Sequence, residues 1–228
     1  AETATRLLRA WHLRLAEGRT AETPLLALLT LHLDAQGIDP QGDFSDDLQA
    51  MVARARGCAG RLRDRFSGDG WQALNDLAAL ARQTEGAGDA AARTLGALLR
   101  RVAGLAGLVH ENMYRSTGWR FLSIGRALER ADAMAAALAR FAAPGAPEGA
   151  LELAIELGDS TMTHRRRFPV GIGRETVIDL LALDDENPRA ILYLLSDLRD
   201  QIGHLPEDRR EAHMPALTRA ILLAHTGL

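Results

Sequence analysis

Apolar residues recur at spacings of three and four along most of the chain, which is the repeat of an amphipathic α-helix. The segment after the interruption at Ser116–Gly118 shows the repeat clearly and runs to about Phe141. Its apolar seam consists of Phe121, Ile124, Leu128, Ala131, Ala135 and Leu138. We expect this seam to pack against a neighbouring helix.

The same periodicity, interrupted by Gly- and Pro-containing turns, predicts a chain built from helices. They cover about 1–17, 24–35, 45–66, 70–80, 95–113, 118–141, 148–164, 175–183, 188–205 and 207–225. The segment 175–183 is the longest β-like candidate, and its apolar spacing fits a helix equally well. The linker at Pro144–Pro147 is short, so we read it as a connection inside one domain. We therefore predict a single all-α domain over 1–228, a multi-helix bundle of about nine or ten mostly antiparallel helices.

Composition supports the helical class and excludes several kinds of chemistry. Hydrophobic residues make up 47% of the chain but aromatic residues only 4%, so the apolar mass is mainly Ala and Leu, which favour helices. All 27 cationic residues are Arg, which excludes a Schiff base and a P-loop lysine. The net charge of -3 disfavours nucleic-acid binding. Cys58 is the single cysteine, which excludes an internal disulfide, and we expect it to be buried packing.

Hydropathy and the chain start give further expectations. No apolar run approaches the ~18–20 residues of a membrane span, and no signal peptide pattern opens the chain, so we expect a soluble cytoplasmic protein. The chain begins with Ala1 inside a helical pattern and without Met, which is typical of a fragment of a longer polypeptide. The seven histidines are scattered without a metal-ligand spacing, so we expect no metal and no cofactor.

The segment 111–130 carries the densest set of candidate functional residues. On a helix, Arg126 lies three residues before Glu129 and four before Arg130, so the three share one side. Gly125 costs about 1 kcal/mol relative to Ala in a helix, which predicts a close approach by another group. The charges are either ordinary surface ion pairs or groups held at the edge of the apolar seam. The candidates here are Glu111, Arg115, Arg120, Arg126, Glu129 and Arg130.

Two later segments carry further charged candidates. Arg165 and Arg166, in a run of three arginines near Ser and Thr hydroxyls, suit a phosphate or carboxylate, or else the favourable end of a helix dipole. Asn187 before Pro188 predicts a helix start, with Asn187 as the cap. Capping does not explain Arg189, a cation in the predicted first turn, so Arg189 is a candidate for contacting a partner.

Several ordered motifs resemble those of the bacterial alpha-E domain family, a domain of unknown function. They are Glu111-Asn-Met, Gly118-Trp-Arg-Phe-Leu, Gly125-Arg, Leu128-Glu-Arg-Ala131, the Ser160–Phe168 segment, Leu183-Asp with Asn187-Pro-Arg189, and the Leu62–Asn75 segment. The resemblance covers essentially the whole chain. It implies an all-helical domain encoded beside, or fused to, circularly permuted ATP-grasp proteins that resemble amidoligases, often with transglutaminase-like proteins. It also implies that most of the family's first helix is missing here.

The resemblance changes what we expect of the charged residues. A family signature that sets charges among apolar neighbours implies a partly buried Arg/Glu network, because each buried charge needs a partner. In that network Arg126 and Glu129 orient one another, Glu111 pairs with Arg120 or Arg166, and Arg189 completes the charge balance. The network serves either as structural support or as a ligand site.

Two functions follow from this network. The leading one is a non-catalytic interaction or ligand-holding domain that serves an ATP-grasp amidoligase system. The alternative is an enzyme in which Glu111 or Glu129 is the general base and the arginines bind a carboxylate or phosphate.

Overall fold

The computed structural model describes residues 1–42, 44–84, 86–206 and 216–227, and within these ranges it contains eleven α-helices and no strand. The helices are α1 Glu2–Ala16, α2 Pro24–Asp34, α3 Phe44–Gly60, α4 Gly68–Ala81, α5 Gly88–Asn112, α6 Thr117–Phe141, α7 Ala150–Leu157, α8 Thr161–Arg167, α9 Arg174–Ile178, α10 Ile191–Gly203 and α11 Ala216–Thr226. A 3₁₀ turn spans Arg63–Arg65, and a π-helical turn, Asp179–Leu183, continues α9. The predicted all-α class is confirmed.

The described helices number eleven and not nine or ten, because the helix predicted over 148–164 is two helices, α7 and α8. Asp159 lies between them with φ +53°, a left-handed conformation that Asp tolerates better than most residues. Gly158 precedes it, and a Cβ on Gly158 would lie 2.5 Å from Cδ2 of Leu181. The tight packing at Gly158 and the left-handed conformation of Asp159 end α7 here. The spacing of apolar residues indicates neither feature.

Other predicted boundaries differ by a few residues. Helix α4 begins at Gly68 and not at about 70, because its cap is Ser67. The Oγ of Ser67 accepts a hydrogen bond of 3.0 Å from the Gly70 amide. Helix α10 begins at Ile191 and not at Pro188, because the Asn187 side chain closes a turn with Arg189 before the helix starts. The final predicted helix falls partly on 207–215, which lie outside the described residues, and its remainder corresponds to α11.

The chain divides into two compact units, which we describe separately. The N-terminal unit comprises 1–114 and contains α1 to α5, and the C-terminal unit comprises 115–228 and contains α6 to α11. The organisation of 1–228 as a single domain stays a prediction.

The core of the N-terminal unit forms where α1 packs along α5, with α4 also against α5 and α2 against α1. Leucines supply most of this core, and Leu8, Leu26 and Leu95 are completely buried. Trp11 is also buried, and its indole N–H donates a hydrogen bond of 3.0 Å to the Thr30 hydroxyl, which links α1 to α2. The Ala- and Leu-rich composition thus gives interhelical packing with few buried polar groups.

His12 is a polar side chain inside this apolar core. It is 1% exposed and packs against the rings of Trp11 and Phe44, at centroid distances of 4.9 Å and 4.7 Å. Neither ring nitrogen has a hydrogen-bond partner among the described residues. Burial therefore lowers the pKa of His12 from 6.5 to about 4, because the charged imidazolium would lose its hydration.

We predict that the free energy of unfolding decreases as the pH falls from about 6.5 to about 4. Within this window the unfolded chain binds a proton at His12 while the folded chain does not. The loss attributable to His12 is about 3 kcal/mol across the window. Urea unfolding of the wild-type chain and of His12→Leu at several pH values measures it.

The His12→Leu variant is expected to show a shallower pH dependence, and the matched variant His110→Leu keeps the wild-type slope because it leaves His12 in place. His110 is exposed at the end of α5. Equal slopes in wild type and His12→Leu would contradict the assignment.

The core of the C-terminal unit forms between α6 and α10. Ala127 and Ala131 of α6 are buried against three leucines of α10, namely Leu194, Leu195 and Leu198. The buried face of α6 is Ala127, Ala131, Met134, Ala137 and Phe141.

The apolar seam predicted for α6 is therefore only partly correct. Ala131 is buried, but Phe121, Leu128 and Ala135 are exposed. The small alanines let α10 approach one side of α6, which turns the larger Phe121 and Leu128 side chains outward.

Candidate functional site

The nine predicted site residues do not form a buried cluster. Three of them, Arg120, Arg130 and Arg189, are half-buried. The other six are exposed: Glu111, Arg115, Arg126, Glu129, Arg165 and Arg166. The faces of α6 and α10 that meet in the core carry Ala, Leu, Met and Phe instead. The pairing of these charges in an Arg/Glu network stays a prediction. Glu111 lies in the N-terminal unit at the end of α5, and the other eight lie in the C-terminal unit.

The Glu129-Arg130 dipeptide lies at the middle of α6. Its side chains fall outside the buried face of the helix, Glu129 on the exposed side and Arg130 at the border. Glu129 points outward with Arg126, one turn away, while Arg130 is half-buried and its Nε is shielded from solvent. Gly125 lies in open space, since a Cβ there would meet no atom within 4 Å. The predicted close approach at Gly125 is therefore wrong for the described residues.

Arg120 connects α6 to α10 through an amide. Its Nη1 donates a hydrogen bond of 3.0 Å to Oε1 of Gln201, and Nε2 of Gln201 donates one of 3.1 Å to Asp197. Gln201 is 7% exposed. Its buried amide is therefore hydrogen-bonded on both sides, to Arg120 of α6 and to Asp197 of α10. Sequence reasoning missed Gln201, because an isolated Gln in an amphipathic helix gives no signal of burial.

Arg115 lies beside the first turn of α6. Its guanidinium carbon is 4.2 Å from the ring centroid of Trp119, four residues later. Because Arg115 precedes the helix cap Ser116, this cation–π contact joins the chain before α6 to the first turn of the helix. Arg115 therefore has an aromatic neighbour, which the predicted network did not include.

The arginine run at the end of α8 separates into members with different surroundings. Arg167 bridges two carboxylates, with Nη2 3.0 Å from Asp179 and Nη1 bonded to Asp184. Arg165 and Arg166 are exposed, and among the described residues neither has an acidic partner within ion-pair distance. All three lie in the last turn of a helix, where the helix dipole favours cations.

The hydroxyl of Ser160, proposed to help bind an anion beside these arginines, is used within the fold. Ser160 is buried, and its Oγ donates a hydrogen bond of 2.9 Å to the Gly158 carbonyl. The same oxygen accepts one of 3.2 Å from Asn187. Ser160 therefore holds the turn between α7 and α8, and the anion-site interpretation loses one of its hydroxyls.

Asn187 is the centre of the polar interactions that shape the segment 158–189. Its Nδ2 donates to the Leu180 carbonyl at 2.8 Å as well as to Ser160, and its Oδ1 accepts from the Arg189 amide at 3.1 Å. One side chain thus ties the α7–α8 turn to the π-helical turn and to the approach to α10. The sequence identified Asn187 as a helix cap, and the structure shows it as a three-way bridge.

A second bridge within this segment joins α8 to α9. Nε2 of His164 and the Thr176 hydroxyl share a hydrogen bond of 3.0 Å, and the same hydroxyl donates to the Gly173 carbonyl at 2.9 Å. Burial lowers the pKa of His164, and the nearby Glu152 carboxylate offsets part of that effect. A neutral His164 thus fits a structural role in which its ring holds α9 in place.

We predict that Asn187→Ala lowers the free energy of unfolding by about 2–3 kcal/mol, because it removes three hydrogen bonds from partly buried groups. Urea denaturation followed by circular dichroism measures the loss. Asn112→Ala is the matched control, since Asn112 is exposed and its change is expected to stay within about 0.5 kcal/mol. Equal effects of the two substitutions would refute the bridging role.

Two structural features bear on the chemistry available to the described part of the chain. No group of three or more His, Cys, Asp or Glu side chains there is arranged to hold a metal ion. None of the described helices combines the length and the hydrophobicity that crossing a membrane requires.

Comparison with known proteins identifies the relatives of the chain. The model of the alpha-E family, described as a predicted alpha-helical domain with a conserved ER motif, matches residues 1–228. The dipeptide Glu-Arg occurs once in this chain, at Glu129-Arg130 in α6.

Curated relatives come from mycobacteria, and none has a known function in its description. An uncharacterized protein of Mycobacterium tuberculosis H37Rv is 28% identical over 186 residues, which cover 74% of this chain and 20% of that protein. An uncharacterized protein of Mycobacterium bovis is 26% identical with the same coverage of both chains. The chain thus spans about a fifth of the length of these relatives. No solved structure matches the chain at a significant level.

Proposed function

We propose that this chain, which belongs to the alpha-E family, is a non-catalytic interaction domain serving an ATP-grasp ligase that forms amide or peptide bonds. The observation that carries the proposal is the exposed side of α6. We name it the α6 outer face and define it by Phe121, Leu122, Gly125, Leu128 and Glu129.

The α6 outer face combines large apolar side chains with the carboxylate of Glu129. Phe121 is 61% exposed and Leu128 58% exposed, and they lie seven residues apart, two turns along the same side of the helix. Gly125 between them keeps the surface flat, and Glu129 borders it with a carboxylate. Apolar groups rimmed by charges are typical of protein–protein interfaces.

The packing of α6 supports a separation between a structural side and a binding side. Its alanine face is used by α10 inside the C-terminal unit, so the aromatic and leucine side chains opposite are available to another surface. A helix placed in this way presents anchor residues at i and i+7, as helices do when they pack into a groove.

The length of the relatives supports a domain that works beside others. The matched region covers only about a fifth of each mycobacterial protein, so in those proteins it is one part of a much longer chain. The family resemblance implies that the neighbouring part or protein is a circularly permuted ATP-grasp ligase, often accompanied by a transglutaminase-like protein. The ATP that such a ligase consumes is a cytoplasmic metabolite, so we propose a cytoplasmic location.

The two carboxylates considered as general bases support the non-catalytic interpretation. Glu111 and Glu129 are both exposed. A catalytic base gains most from a water-excluded site that sets its pKa and positions its substrate. On the α6 outer face, Glu129 lies where a charge at the rim of an interface would lie.

We predict that Phe121→Ser combined with Leu128→Ser weakens association with the ATP-grasp protein encoded beside this chain by at least tenfold. Burying each of these side chains at an interface is worth about 1.5–3 kcal/mol. Co-purification followed by isothermal titration calorimetry of the purified pair measures the change, and ligase activity is assayed in parallel.

The matched control is Leu31→Ser, because Leu31 of α2 is 57% exposed and lies in the other unit. It is expected to leave the affinity unchanged. Arg126→Ala and Glu129→Ala are expected to reduce the affinity by a smaller factor, as rim charges do. Wild-type affinity and ligase activity in all of the α6 variants would overturn the proposal.

A further inference from the structure

A groove on the N-terminal unit, separate from the α6 outer face, lies between α3 and α4. It has a volume of about 540 Å³ and is open along one side. Its α3 wall includes four small residues at spacings of three and four on one side of the helix, Ala50, Ala53, Gly57 and Gly60. These positions extend over ten residues, which is about 15 Å of helix. The groove is therefore long enough for four or five residues of an extended peptide.

The groove is cationic although the chain as a whole carries a charge of -3. Arg56 and Arg82 line it, and none of the nine described lining residues is Asp or Glu. The chain from 48 to 63 contains four arginines and no acidic residue. A local cationic surface on a net acidic chain favours an anionic ligand here.

Trp71 holds the guanidinium groups beside the groove. The guanidinium carbons of Arg63 and Arg56 lie 5.0 Å and 5.7 Å from the ring centroid of Trp71, which is itself a lining residue. Nε of Arg56 also donates a hydrogen bond of 2.8 Å to Asn75. These contacts already restrict the arginine side chains. Less conformational entropy is therefore lost when an arginine binds a carboxylate.

The shape of the groove favours a peptide over a compact anion as its ligand. A Cβ added at Gly57 would meet no atom within 4 Å, so a ligand can approach the α3 backbone closely at this point. None of the described lining residues carries a Ser or Thr hydroxyl, and their polar groups are two guanidiniums, one glutamine amide and the Trp71 indole. A long open channel with arginines along it fits an extended chain that carries several carboxylates.

We propose that the α3–α4 groove binds an acidic peptide segment of a partner protein, with Arg56 and Arg82 pairing to its Asp or Glu side chains. This site goes beyond the α6 interface proposed above, and it lies in the other unit. Failure of one set of variants therefore does not imply failure of the other.

Cys58 offers a direct reporter for the test. It is exposed, it is the single cysteine of the chain, and it follows Gly57, which lines the groove. Its exposure also corrects the expectation of a buried cysteine, because the buried residues of α3 are Phe44, Leu48 and Val52, all in its first half.

The full chain, labelled at Cys58 with an environment-sensitive fluorophore, is titrated with the blocked pentapeptide Glu-Ala-Glu-Ala-Glu. We expect saturable binding that weakens as NaCl is raised from about 50 to about 300 mM, which shortens the screening length by a little more than twofold. The peptide Gln-Ala-Gln-Ala-Gln is expected to bind at least tenfold more weakly, since it has the same length without the charges.

Two substitutions test the location of the site in different ways. Arg82→Ala removes an exposed cation at the groove and is expected to weaken binding at least tenfold, while Arg54→Ala, on α3 but outside the lining, leaves it unchanged. Gly57→Leu keeps the charge, favours the helix and fills the channel, so it is expected to abolish binding. Circular dichroism verifies that each variant is folded.

Three results would overturn the proposal. The first is equal binding of the Glu and Gln peptides, and the second is equal effects of Arg82→Ala and Arg54→Ala. The third is inorganic phosphate or AMP binding more tightly than the acidic peptide at the same site, which would assign the groove to a small anion.

Discussion

The packing of α6 against α10 determines which residues of the C-terminal unit face outward. Ala127 and Ala131 occupy little space, so the leucines of α10 reach close to the α6 backbone. Once that side of α6 is buried, the geometry of a helix directs Phe121, Leu128 and Glu129 to the opposite side. The exposed apolar groups are therefore a consequence of where the small residues lie along α6.

The same packing explains why the charges of α6 lie near the surface. A guanidinium placed among Ala127, Ala131 and the α10 leucines would need a buried partner to repay its lost hydration. The helix avoids that cost by holding Arg130 at the boundary, half-buried, with Glu129 exposed beside it. Further along the α6–α10 interface, the half-buried guanidinium of Arg120 donates a hydrogen bond to the Gln201 amide oxygen, which offsets its lost hydration.

A second set of polar side chains, which are neutral and buried or half-buried, fixes turns of the chain. Ser160, His164 and Asn187 each satisfy backbone or hydroxyl groups within the segment that connects α7 to α10. Their positions depend on the chain making a left-handed turn at Asp159 and a π-helical turn at Asp179–Leu183. The unit thus uses charges at its surface and neutral polar groups in its interior.

The sequence predicts the helices well because each one depends on local periodicity. Helix α6, for example, was expected to reach Phe141 and does so. What periodicity does not determine is which of two apolar sides is buried, because Ala and Phe count alike in a pattern of apolar positions. That ambiguity misplaced the seam of α6 and, with it, the expected burial of Arg126 and Glu129. Contacts between distant positions, such as Arg120 with Gln201 or Arg56 with Asn75, depend on tertiary packing and leave no trace in residue spacing.

We propose that Glu129 and Arg130 of α6 serve recognition at the surface and contribute little to the stability of the fold. The most direct test is urea denaturation of Glu129→Ala, with the free energy of unfolding compared with that of the wild-type chain. We predict a loss below about 1 kcal/mol, as for exposed ion pairs. A loss of about 3–5 kcal/mol, the range for breaking a buried ion pair, would contradict it.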